Sequence, residues 1–306
     1  MLRNFASLPT NSTAAQIQEF LNENFHHVGY ELRMVTPRDW RDSPSVLKKL
    51  SSPELVHFAT TIHGKWRGLA RQFDLRRLCG ECLASSLQLP YPFIVPGGRF
   101  REFYYWDTFW ILEGLYVSEM CETAGGMIEN MFAMVQEFGF VPNGARIYYL
   151  NRSQPPLLAQ IVERYVQKCL PVEKERREYI QRALPILERE YEFWGKNRSA
   201  EVKKNGKLWR LNVYRAEHWI PRPESYVEDL AIASRPEFDT EMKRKMFYQN
   251  IASAAESGWD FSRRWLNNSN DLATIFTTSI VPLDLNVFML GNEQSLKRLS
   301  ETIGDR

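Results

Sequence analysis

The sequence predicts an all-α chain of antiparallel helices carrying one small β-hairpin insertion. Three observations lead there. Apolar residues recur at three- and four-residue spacing through most of the 306 positions. Clusters of polar and aromatic residues with Pro or Gly punctuate the junctions, at Pro96, Pro142, Pro155, Pro221 and Gly258. The helical pattern breaks clearly once, at Asn205-Gly206, a two-residue hairpin turn signal.

In order, Ile17, Phe20, Leu21 and Phe25 define a first helical face, with Ser12 read as its N-cap. The next helix begins at Ser52 as N-cap with Pro53 in its first turn. Leu55, Phe58, Ile62, Trp66, Leu69 and Phe73 hold one face of it for about five turns. His57 and His63 lie six apart, a spacing that suits solvated or satisfied histidines and not a metal pair. Trp106 to Met120 is apolar nearly all round, the mark of a buried helix. Gly125-Gly126 reads as a helix junction. Met127, Met131, Met134, Val135 and Phe138 form a core-facing stripe, stopped by Gly139. Leu158 to Cys169 is a further helix. Ile180, Leu184, Leu187, Tyr191 and Trp194 mark another, with a solvated start at Glu173 to Arg177 and Pro185 inside as a kink. Val202, Leu208, Leu211 and Val213 alternate around the hairpin turn, and helices resume near Thr240 and after Pro282. With no linker or repeat, the chain is expected to form a single domain, 1–306.

A net charge of +2 argues against an electrostatic nucleic-acid binder. No apolar run is long enough for a signal peptide or a membrane-spanning segment. The sequons Asn11-Ser12-Thr13, Asn197-Arg198-Ser199 and Asn267-Asn268-Ser269 hint at a secreted or membrane-anchored parent. Four cysteines make no disulfide framework: Cys79-Gly80-Glu81-Cys82 reads as incidental, Cys121 and Cys169 as core fillers.

One stretch resists a structural explanation. Pro96 to Asp107 packs two glycines, two arginines, two acids and five aromatic rings into twelve positions. A core segment would not carry the charges, and a surface loop would not carry the rings. Sugars want both, because rings stack on their C–H faces while arginines and carboxylates bind their hydroxyls.

Pro96-Gly97-Gly98-Arg99-Phe100 with Glu102, Tyr104-Tyr105 and Trp106-Asp107 resembles the first signature of the α,α-trehalases, inverting glycoside hydrolases. Val141-Pro142-Asn143-Gly144, Arg152-Ser153-Gln154-Pro155-Pro156, Arg222-Pro223-Glu224-Ser225 and Glu256 to Ser262 follow in the family's order. The resemblance implies an (α/α)6 toroid and trehalose as the substrate partner. It implies Asp260 as general acid, and Arg99, Trp106, Asp107, Asn143, Arg152, Ser153, Gln154, Arg222, Pro223, Glu224 and Gly258 as sugar-binding positions. Read without it, Asp260 is a helix N-cap, and Asn143, Ser153 and Gln154 are loop caps.

Hydrolysis with inversion needs an acid on the leaving oxygen and, roughly 6.5–9.5 Å from it, a carboxylate that activates water. No metal or organic cofactor is required. Arginine charges near Asp260 oppose the raised pKa of an acid, so its burial must outweigh them or Glu102 and Glu224 must help. The family's second signature and its glycine-rich segment are not found. The expectation is a truncated trehalase-like catalytic domain, an incomplete toroid whose general base lies outside this chain. The competing expectation is an inactive fragment that binds sugar or a partner chain.

Overall fold

The computed structural model describes residues 5–268 and 270–304. Residues before Phe5 and the hydroxyl residue of the third sequon, Ser269, lie outside them.

Thr13, not Ser12, caps helix α1 (Ala14–Asn24), because Gln16 returns its side chain to the Thr13 N–H in a capping box. Of the four apolar residues expected on its face, Phe20 is the buried one. Helix α2 (Pro53–Leu69) starts as the sequence predicts, with Ser52 accepting from the Leu55 N–H. It stops at Leu69, and Phe73 belongs instead to a strand. That strand, β2 (Ala70–Phe73), lies between β1 (Leu32–Met34) and β3 (Phe93–Ile94) in a small antiparallel sheet. The sheet was illegible because its strands are too short to show alternation. His63 is buried and satisfied between Ser118 Oγ and the Arg41 carbonyl, while His57 is exposed.

The scaffold is a bundle of α3 (Tyr105–Val117), α4 (Cys121–Phe138), α5 (Leu158–Cys169), α6 (Glu173–Asn197) and α9 (Leu283–Ile303). Met127, Met131 and Met134 fill its core as expected, and Gly139 caps α4 in the left-handed conformation. Helix α3 is not buried all round: Trp110 is 61% exposed. Gly125 and Gly126 sit inside α4 and not at a junction. A Cβ at Gly125 would stand 2.7 Å from Tyr165 Oη, and one at Gly126 3.2 Å from Tyr91, so the glycines let these rings approach the helix. Pro185 is accommodated within α6, whose charged start is exposed as expected.

The hairpin β4 (Ser199–Lys204) to β5 (Lys207–Asn212) turns at Asn205-Gly206, both at positive φ. Helices α7 (Tyr226–Ala233) and α8 (Glu241–Glu256), the latter capped by Thr240, complete the order. The cysteine readings are corrected. Cys79 pairs with Cys82, and Cys121 with Cys169, the second bond tying the start of α4 to the end of α5. Neither Cys121 nor Cys169 is fully buried, so they are staples and not fillers.

Two apolar cores result. The larger joins the three-stranded sheet to α3, α4, α5 and α6; the smaller gathers Trp194, Tyr214, Phe247, Ile251 and Trp265 around α8. Trp106 packs on the first and Phe261 on the second. The motif residues therefore fall where the two cores meet.

Candidate active site

The site is made of junctions. Tyr104 opens α3 after the glycine-rich turn at Gly97-Gly98, placing Trp106 and Asp107 in the helix's first turn. The Trp106 N–H donates to Gln154 Oε1 at 3.1 Å, and the Asn143 N–H donates to the Arg152 carbonyl at 3.0 Å. Three motifs distant in sequence are thereby laced together. At the end of α8, Gly258 has φ +71°, and a Cβ there would meet Trp106 Cε2 and Cζ2 at 2.7 Å. Only glycine lets the Asp260 segment close on that ring.

Arg152 and Arg222 are both buried. Arg152 donates to Glu224 at 2.5 Å and lies over the Tyr149 ring, while its Nε and Nη1 are buried without a partner among the described residues. Such orphaned donors are costly unless a ligand meets them. Arg222 is held bidentate by Asp229, at 2.8 and 2.7 Å, and its guanidinium lies over the Phe261 ring.

Asp260 is exposed as a residue, while its carboxyl is partly desolvated by the protein around it. That desolvation pushes its carboxyl above the ordinary aspartate range, against its own backbone hydrogen bond and the charges of Arg152 and Arg222, with Glu224 adding to the rise. The desolvation therefore outweighs the arginine charges at this carboxyl. Glu224 is the helping neighbour. Glu102 is not: it is buried against Arg146 at 3.0 Å. Asp107 is also pushed up by burial. No helix follows Asp260, and the short turn Arg263–Trp265 is capped by Ser262, so the N-cap reading of Asp260 falls away.

Not every expected residue joins this group. Arg99 is exposed over the Phe100 ring and connects to Arg152 only through the succession Phe100, Tyr104, Tyr149. The Ser153 hydroxyl is turned inward, donating to the Val141 carbonyl at 2.7 Å with no exposed surface. It fastens the loop and has no open face toward a ligand. Asn143 is buried, its Oδ1 3.5 Å from Arg152 Nη2. Pro223 opens the short turn that presents Glu224. In the sequon Asn151-Arg152-Ser153, the Asn151 amide is half-buried and bonded to His218 Nδ1 at 2.6 Å. A hollow of about 690 Å³ lined by Tyr148, Asn151, His218 and Pro223 flanks the arginine loop, but neither Arg152 nor Asp260 forms its wall.

Sequence reasoning missed Asp229 and Tyr149, and gave Glu256, the head of its motif, no role. Asp229 reads as a surface acid in the first turn of α7, and nothing in its neighbourhood announces an arginine partner.

Residues 2–306 match the family model described as Trehalase. The chain belongs to the trehalase family. It is 46% identical over 294 residues to a trehalase from Dictyostelium discoideum, covering 95% of this chain and 48% of that protein. A human trehalase is 41% identical over 294 residues, with 95% and 49% covered. Neutral trehalase Nth1 from Saccharomyces cerevisiae superposes with a TM-score of 0.56 at 24% identity, over 69% of this chain and 40% of that one, a likeness of fold. This trehalase-family chain thus spans about half the length of the curated relatives it matches. Its mostly helical architecture with a small hairpin is the all-α toroid class that the resemblance implied. Among the described residues no helix is long and apolar enough to cross a membrane.

Proposed function

We propose that this chain carries the sugar-holding arginines and the general acid of an α,α-trehalase. One observation carries the reading: Asp260, its carboxyl raised by desolvation, lies within the field of Arg152 and Arg222, and Arg152 has two buried donors to spare. Arg152, Arg222, Glu224, Asn143 and Gln154 hold hydroxyls, Trp106 supplies a stacking face, and Asp107 binds at the helix start. Arg99 acts from the rim, and Gly258 keeps the acid close to Trp106.

Asp260 gives its proton to the bridging oxygen as the C–O bond breaks. A water attacks the same anomeric carbon from the opposite face and passes its proton to a base. Cleaving a molecule with two α-linked anomeric carbons and inverting one gives one α- and one β-glucose.

This reading assigns no base among the carboxylates paired at the site. Glu224 is engaged by Arg152 and Asp229 by Arg222, so neither is free to take a proton from water. The competing reading, an inactive sugar-binding fragment, is favoured by that same pairing.

Proton NMR of the 306-residue chain with trehalose tests the site that both readings share and shows whether this chain turns the sugar over. The reading expects bound trehalose without turnover. Glucose appearing as equal α and β anomers, and lost in Asp260→Asn, would support the hydrolase while placing the base within this chain, with Asp107 the first candidate. A folded chain that neither binds nor cleaves trehalose would contradict the reading.

A further inference from the structure

Helix α8 ends in an acid, where the backbone dipole opposes one. Glu256 is nonetheless fully buried. Its Oε1 accepts from the Ser153 N–H at 2.9 Å and its Oε2 from the Arg215 N–H at 3.0 Å, while Arg198 Nε stands 2.9 Å from both oxygens. These donors come from three separated segments: the Arg152 loop, the residue after α6, and the chain leaving the hairpin. One turn earlier on α8, Ser253 Oγ accepts from the Ala216 N–H at 2.9 Å. Arg198 extends the clamp with Nη2 at 3.4 Å from the Asn151 carbonyl.

One carboxylate thus joins the loop bearing Arg152 and Gln154 to the segment that bears Asp260 four residues later. A neutral side chain would suit the end of α8 better, were filling space its only task. An amide is no substitute, since its NH2 would face donors and leave one without an acceptor.

We propose that Glu256, held by Arg198, is the positioning residue of this site: it sets the Arg152 loop against Asp260, and sugar binding depends on that registration. Glu256 touches no substrate. The dependence of sugar binding rests on the function proposed above; the setting of the loop does not.

The test pairs amide exchange with trehalose titration in Glu256→Gln, against Ile251→Val as a control that trims the same helix's core contact. In Glu256→Gln the Ser153 and Arg215 amides are expected to exchange about tenfold faster relative to Val135 in α4, and trehalose affinity to fall about tenfold. The control is expected to change neither ratio. Unchanged Ser153 and Arg215 protection, unchanged affinity beside loosened amides, or equal effects in the control would each overturn the proposal. If the wild-type chain binds no trehalose, the functional reading fails, and the exchange ratios alone decide whether Glu256 sets the loop. Should Glu256→Gln not fold, Glu256→Asp takes the same measurements. It keeps the charge but is one methylene short, so it is expected to release the Ser153 or the Arg215 amide, and full protection of both would overturn the proposal.

Discussion

Asp260 and Glu190 are both carboxyls raised by burial, and the contrast between them separates function from packing. Glu190 sits in the middle of α6 among core residues, pushed up to about 8 by burial and bonded to the Tyr105 hydroxyl. That hydroxyl in turn accepts from the Leu157 and Leu158 N–H groups at 2.9 Å, pinning the start of α5. Since its folded pKa lies above the unfolded one, the native state keeps a proton that the unfolded chain gives up. Stability therefore falls as pH rises from about 4.5 to about 8. Glu190→Gln keeps an acceptor for Tyr105 and is expected to raise stability by on the order of 3 kcal/mol at pH 7. Urea unfolding at pH 5 and pH 7.5 checks it, because the gain should shrink at the lower pH. Asp260 follows the same sign: Asp260→Asn is expected not to lower the melting temperature. A large loss of stability would mean that Asp260 is structural.

Among elements, the junctions were more legible than the helices were complete. Trp106, Arg152, Arg222 and Asp260 each stand in a motif whose residue types make little sense as packing, and Arg152, Arg222 and Asp260 come together. The partners that hold them were not legible. Asp229 stands outside every motif, and Glu256 heads one without a role, because burial against an arginine is a tertiary event without a local signal. Cys121 and Cys169 are separated by 48 positions, and spacing alone says nothing of their proximity. Ser153 is a polar residue in a family motif whose hydroxyl bonds within the loop, to the Val141 carbonyl, which the sequence does not reveal. Gly258 gives the sharpest prediction at this scale. Gly258→Ala places a Cβ against the rigid Trp106 ring at positive φ, and is expected to destabilise by about 2 kcal/mol or more and to abolish trehalose binding. Denaturant melts and titration of the same variant check both.

For the whole molecule, Trp106 packs on one core and Phe261 on the other, so the geometry of the site depends on how the two are held. The Cys121–Cys169 bond braces the larger core. In the chain-entropy account, a loop of this length contributes ~4 kcal/mol. Reduction is expected to lower the guanidinium midpoint without changing trehalose affinity below it, since neither cysteine borders the site. An affinity that fell with reduction alone would contradict this and show that the brace sets the site.

The claim that buried arginines and a raised acid form a sugar site is tested most directly by calorimetric titration of trehalose into the 306-residue chain and into Arg152→Ala. The account predicts saturable binding, weakened about tenfold or more when Arg152 is lost, since a charged hydrogen bond is worth ~1.5–3 kcal/mol. Equal binding by both proteins, or no binding by a cooperatively folded wild-type chain, would contradict it.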